Sequence, residues 1–271
     1  MEARVRNLKV VWQLAVGVGL SANAFAQEAE SVAARNEISV GAYYANGDYG
    51  QDADTSIYYF PFSFERHIGN WNLQISVPHL QISGAGNVLV NVGGVGRNEF
   101  DSFDETLSQS HKGIGDTVLS ATYQLPSFSP SAPFFDIGFD VKLPSADENK
   151  GLGTGAYDYG LQLDAYQQLG STTLFSTLGY KLRGRSALFD QMQDSVFFSF
   201  GLSRPLSERW SYGVIYDYRE AASADSGETH ELLPFVSFAL ANEWTLMTYA
   251  VKGFTQDSAD IAIGTQLNYR W

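Results

Sequence analysis

The chain contains no cysteine among its 271 residues. No disulfide framework is therefore available to it, although such frameworks hold many exported domains together. Basic residues are scarce, 17 against 30 acidic ones, for a formal net charge of −13. That balance excludes nucleic acid as a partner, because phosphate contact needs patches of Lys and Arg. Only four histidines occur, His67, His79, His111 and His230, and no His or Cys spacing matches a metal site. There is also no apolar run of the roughly 20 residues that a spanning helix needs, nor a useful stretch of helix-period amphipathicity beyond the N-terminus.

What is present begins with an export signal. Arg4, Arg6 and Lys9 form a basic segment, Val10 to Leu20 an apolar one interrupted by Gln13, and Ala24-Phe25-Ala26 a small-x-small cleavage site. Residues 1–26 are expected to be a signal peptide, residues 27–36 a short periplasmic segment, and residues 37–271 the folded body. Removing 1–26 takes away three bases and one acid, so the remaining chain is more acidic still.

The body alternates with period two. Phe135, Ile137, Phe139, Val141 and Leu143 alternate with Asp136, Gly138, Asp140 and Lys142; Tyr157, Tyr159, Leu161, Leu163 and Ala165 alternate with Asp158, Gly160, Gln162 and Asp164. Such alternation is the strand signature. It predicts twelve strands, at 37–46, 56–68, 71–82, 114–125, 133–144, 157–169, 172–183, 195–204, 210–220, 231–240, 244–254 and 260–271. Most are longer than the 5–6 residues usual in globular sheets and suit a tilted membrane-crossing strand. The connections after even-numbered strands are short, and most of the others are long and polar, as in outer-membrane barrels. Trp71, Trp210 and Trp244 each follow a short turn and Trp271 ends the chain, which puts four of the five tryptophans at one interface.

These features together imply an all-β fold, a closed antiparallel transmembrane barrel of about twelve strands with both termini periplasmic, in the outer membrane of a Gram-negative bacterium. Only a helix or a closed sheet satisfies every backbone group in lipid. The expected partners are the lipid bilayer and lipopolysaccharide, the barrel assembly machinery through the C-terminal strand, and a small-molecule solute.

The inward set carries both charge signs: Glu65, Asp116, Asp136, Asp140, Lys142, Asp158, Asp164, Lys181, Arg183, Asp217, Arg219 and Arg270. A bracing network of ion pairs is the simplest role for it. The candidates for lumen or ligand contact are Asp116, Lys142, Asp158 and Arg183. The 83–113 connection is far longer than ordinary loops, and Val88, Leu89, Val90 and Val92 in it are candidates for a constriction folded into the mouth. An outward hairpin is the equal alternative. Acidic loops, with Asp48, Asp54, Asp147, Glu148, Glu228, Asp257 and Asp260 among their residues, predict a mouth that concentrates cations. Pro61, Pro78 and Pro234 fall inside strands, where proline removes a ladder bond. Each marks either a bulge or a lateral opening to the membrane.

No catalytic residue and no cofactor is assigned. His111 sits in a long loop, a poor place to hold a base against a nucleophile, and His230 beside Glu228 and Glu231 reads as a solvated acidic loop. The functional expectation is passive passage of small, hydrophobic or aromatic solutes. The alternatives are a non-conducting structural or surface-interaction barrel with cation-binding loops and, behind it, a barrel hydrolase.

Several segments carry a family resemblance. Gly113-Ile-Gly115-Asp116 through Tyr123, Phe139-Asp140-Val141-Lys142-Leu143-Pro144, Gly151-Leu152-Gly153-Thr154-Gly155, Asp158 and Gly179-Tyr180-Lys181 are involved, with the closing Gly264 to Trp271. Together they resemble a family of outer-membrane transporters named after the meta-pathway of phenol degradation. The resemblance covers roughly residues 36–271. It implies a role in passing hydrophobic or aromatic compounds inward and names no catalytic residues. Ser145-Ala146-Asp147 departs from the Thr-Gly that would follow the proline, which predicts a differently shaped loop there.

Overall fold

The computed structural model describes residues 35–49, 54–84, 88–91, 94–97, 109–127, 129, 132–224 and 226–271. The predicted signal peptide, the segment up to residue 34 and Val92 lie outside the described residues. Fifteen strands are present: β1 Arg35–Gly47, β2 Thr55–Ile68, β3 Trp71–Gly84, β4 Val88–Asn91, β5 Gly94–Arg97, β6 Gln109–Ile114, β7 Thr117–Gln124, β8 Phe134–Leu143, β9 Asp158–Leu169, β10 Thr172–Arg183, β11 Ser195–Pro205, β12 Trp210–Arg219, β13 Thr229–Ala239, β14 Trp244–Gly253 and β15 Ile261–Arg270. Among the described residues the one helix is a single turn, Glu148–Lys150.

Each strand pairs antiparallel with its neighbours, and β1 pairs with β15, so the sheet closes on itself. Strands β6 and β7 are one barrel strand broken near Gly115, since both pair with β3. Twelve barrel strands result, as the alternation predicts. The observed ends extend past the expected ones at β1, which begins at Arg35 rather than 37, and at β3 and β6, which shorten the long connection. At the seam, Asn36 and Trp271 exchange backbone hydrogen bonds of 2.9 and 3.0 Å. Closure leaves no sheet edge to aggregate.

The two faces are inverted relative to a water-soluble protein. Exposed outward residues are apolar, among them Val40, Phe60, Leu119, Phe139, Leu161 and Leu178. Buried inward residues include Glu37, Ser63, Asp136, Lys142, Asp164, Thr177, Asp217 and Gln266. Short turns gather at one end. Gly69 and Gly170 begin two-residue turns with φ of 59° and 62°, a region that a Cβ disfavours. The ring of tryptophans lies at that same end, all exposed. Trp71 stacks near Tyr123 at 4.8 Å, Trp210 near Phe238 at 4.5 Å and Trp244 near Tyr269 at 4.6 Å. Rings of this kind are amphipathic and hold the level of a membrane interface.

Inside, aromatic rings lie against backbone. Phe197 sits opposite Gly179, Phe175 opposite Gly201, Phe235 opposite Gly213 and Tyr249 opposite Gly264. A Cβ on any of these glycines would collide with its ring. The missing side chain lets each ring lie flat along the wall instead of crossing the lumen. These rings join Tyr166, Ile215, Leu233 and Val251 in one apolar cluster that follows the wall from β9 round to β2.

The three prolines act differently from one another. At Pro78 the ladder from β3 shifts by one residue, because His79 faces Ile114 but Ser76 faces Val118. That is a bulge. Pro61 and Pro234 interrupt pairing without a shift: Val40 faces Phe62 and Tyr43 faces Tyr59, with nothing paired between, and the same occurs between Leu232–Lys252 and Phe235–Tyr249.

Candidate functional site

The four candidate charges come together. Lys142 on β8 faces Asp158 on β9, which faces Arg183 on β10, so the register alone puts three of them in one inward row. Asp116 joins because the bulge before β7 turns it inward, the kind of re-aiming that bulges supply. Lys142 Nζ lies 3.0 Å from both Asp116 Oδ2 and Asp158 Oδ2 and also donates to Thr154 Oγ1. Arg183 donates to the Gln193 carbonyl at 3.0 Å and to Ser195, while its backbone N–H donates to Asp194 at 2.9 Å.

All four side chains are buried, Asp158 completely. A buried cation between two carboxylates holds geometry, and removing one member leaves charge uncompensated. What this cluster holds is the connection 144–157. The Ala146 N–H donates to Asp116 at 3.0 Å, and the Gly184 N–H to Asp158 at 3.0 Å. Ser145 Oγ accepts from the Thr117 N–H at 2.8 Å and donates to the Gly115 carbonyl at 3.2 Å. The departure at Ser145-Ala146 therefore supplies two bonds to the bulge.

Pinned in this way, the connection turns into the barrel. Leu152 is 2% exposed and packs with Tyr59, Leu80 and Ile82 from β2 and β3, with Tyr43 at the edge. Gly151 takes the left-handed conformation, φ 64°, that caps the single helical turn before it. On the outer side of that turn Lys150 lies 3.0 Å from Asp147 and holds its carboxyl below the ordinary range. The inward element described here is thus Leu152. Strands β4 and β5, which carry Val88, Leu89 and Val90, form a separate two-stranded hairpin.

Leu152 and Thr154 escape the sequence reading because nothing periodic marks them. The signal that could have found them is the Gly151-Leu-Gly-Thr-Gly155 spacing, in which one leucine and one hydroxyl stand among glycines. Further ion pairs brace the lumen: Lys181 with Asp140 at 3.1 Å, Arg219 with Asp217 at 2.6 Å, and Arg270 with Glu37 at 2.6 Å across the seam. His230 donates or accepts with Tyr216 at 2.6 Å on the outer surface, and no serine joins it there. Among the described residues no group of His, Cys, Asp or Glu is placed to hold a metal.

Comparison with known proteins agrees with this architecture. A family model described as "Putative MetA-pathway of phenol degradation" matches residues 33–271. The COG4313 outer membrane channel from Pseudomonas putida F1 is similar in structure, with a TM-score of 0.68 at 12% identity over 90% of this chain and 97% of that one. The KdgM porin follows at 0.54 and 11% identity, over 86% and 98% of the two chains. The NanC porin gives 0.52 at 8% identity, over 85% and 97%. Such identities establish a shared barrel fold. Among curated proteins none matches the sequence.

Proposed function

The chain belongs to the phenol-degradation family, and from that premise we propose that it is an outer-membrane channel for small hydrophobic or aromatic solutes. The observation that carries this reading is the inward apolar cluster of Tyr166, Phe175, Phe235 and Tyr249. A barrel braced only for stability has no need of rings laid flat along its lumen, whereas a passage for apolar rings does. The solute enters at the long-loop end, where Leu152 on its pinned connection is the narrowest apolar contact. The charged quartet acts through that connection rather than by touching the solute.

In this reading both termini and the tryptophan ring face the periplasm of a Gram-negative cell. The C-terminal strand engages the assembly machinery, and the acidic loops meet lipopolysaccharide. The loops concentrate cations over anions at the mouth. No residue is assigned a catalytic role.

The test is uptake together with conductance. Cells producing the protein should take up naphthalene faster than cells lacking it, and the purified barrel should give discrete current steps in a planar bilayer, with cations preferred. A barrel that neither conducts nor raises uptake is the structural alternative, and anion preference removes the electrostatic part. Deleting 87–96 and comparing conductance tells whether the β4–β5 hairpin also narrows the path.

A further inference from the structure

On β1, β2 and β3 the register sorts inward side chains into rows of opposed residues. Tyr43, Tyr59 and Leu80 make one row, and Ser63 and Ser76, with Ser39 beside them, make another nearer the short turns. Below that, Glu37 faces Glu65, which faces Gln74. The upper row is apolar and continuous with Leu152 and Ile82. The lower rows are polar, buried and mutually paired: Ser63 donates to Ser76 at 2.9 Å, Glu65 meets His67 at 2.7 Å, and Glu37 meets Arg270.

An apolar solute that descends from the mouth therefore reaches a polar floor. Inserting it there separates satisfied polar groups, which costs more than leaving them paired. At that boundary the wall itself changes. Between Val40–Phe62 and Tyr43–Tyr59 the ladder lacks its pairs. Pro61 has no N–H to give β1, and Gly41 opposite it has no side chain. The Pro61 ring packs so close that a Cβ on Gly41 would lie 2.8 Å from Pro61 Cγ. Pro78 faces Pro61 across β2–β3, so its missing donor points the other way, toward the bulge. The β2–β3 hairpin is thus flanked by a defect on each side. On the side of β6 and β7 the Gly115 N–H still donates to the Pro78 carbonyl at 2.9 Å. The β1–β2 side has no described bond to match. The lipid face at that level is apolar and open, with Val40, Phe60 and Phe62 exposed.

We propose that an uncharged apolar solute leaves the lumen sideways, between β1 and β2 at Gly41 and Pro61, into the hydrocarbon core. The turn end with its polar floor is bypassed. This rests on the channel reading above and adds the route and its consequence: solutes that partition into lipid pass, and charged ones do not use the exit.

The absence of cysteine allows a clean lock. Ala42 and Phe60 stand opposite one another at the break, both facing lipid, so Ala42→Cys with Phe60→Cys can be joined by oxidation. Leu174→Cys with Leu202→Cys, opposed in the unbroken β10–β11 ladder, is the control. Naphthalene uptake is measured in cells producing the full chain, oxidised and reduced, alongside single-channel conductance of the same proteins. Oxidation of the 42/60 pair should reduce uptake to the level of cells lacking the protein and leave conductance unchanged. The control should change neither. Pro61→Val, which restores the donor without any crosslink, should lower uptake in the same direction. Undiminished uptake by the oxidised 42/60 protein overturns the exit while leaving the channel reading intact. A fall in conductance in step with uptake overturns it too, because the lock has then closed the whole lumen. If the reduced protein gives no uptake above background, the channel reading fails, and the exit with it.

Discussion

The sector from β8 to β12 and the sector from β1 to β3 are made of the same kind of strand, yet they are secured in opposite ways. From β8 to β12 the ladders run without a gap, the rings of Phe175 and Phe197 sit over glycines, and Lys142 ties two strands and a loop together. From β1 to β3 two prolines face each other and the ladder to β1 is interrupted. One sector spends its inward positions on fixing geometry. The other gives up hydrogen bonds where a lumen of changing polarity meets lipid. A barrel wall is uniform in topology and need not be uniform in stiffness.

Four substitutions test that contrast, beginning with the largest effect. Lys142→Met leaves Asp116 and Asp158 buried without a cation, which should cost about 3–5 kcal/mol. Urea unfolding of the lipid-reconstituted barrel reads the loss, and higher conductance reads the release of the 144–157 connection. Equal stability with wild type would make the fixed sector no more fixed than the other. Gly201→Val drives a side chain into the Phe175 ring and should cost about 1–3 kcal/mol by overpacking, measured in the same way. Pro61→Val should act with the opposite sign, gaining about 0.5–1.5 kcal/mol from the restored ladder bond. Slower amide exchange at β1 and β2 would report it, and destabilisation would show that the break is strain-free as it stands. Leu152→Ala should leave the wall intact and raise conductance, since it removes the inward apolar contact alone.

The smallest effect lies in the loop. Lys150 holds the Asp147 carboxyl below its ordinary value. A group shifted in this direction adds stability at neutral pH and loses it as pH falls through the lowered value, below about 4. Acid titration followed by NMR of the 147–151 turn should show release there before any change in the strands. Release at neutral pH would contradict the pairing.

The strand count, the sidedness and the girdle were legible because each depends on a local period. Alternation at Phe135–Leu143 marks its own inward and outward faces, and Trp71, Trp210 and Trp244 stand next to their turns. The row of Lys142, Asp158 and Arg183 was legible as inward charge. Its purpose was not, because that depends on a bulge and on a loop with no period. The bulge displaces register by one residue near Gly115, and only the pairing of β3 with both β6 and β7 discloses it. Equally, three prolines read alike in the sequence. Their differing consequences arise from which neighbour each missing N–H would have faced.

The seam between β1 and β15 has a kinetic consequence. The Arg270–Glu37 pair joins residues separated by 233 positions, the far extreme of contact order. Contacts between the two ends cost the most chain entropy to bring together and slow the folding of any protein that needs them. Neither terminal strand has a partner on its outer flank until the other arrives, so the last pairing rather than the first hairpin determines when the barrel becomes safe in lipid. A chain halted just short of Gly264 to Trp271 would hold eleven strands and two bare flanks. Proofreading of this protein therefore falls on its final eight residues.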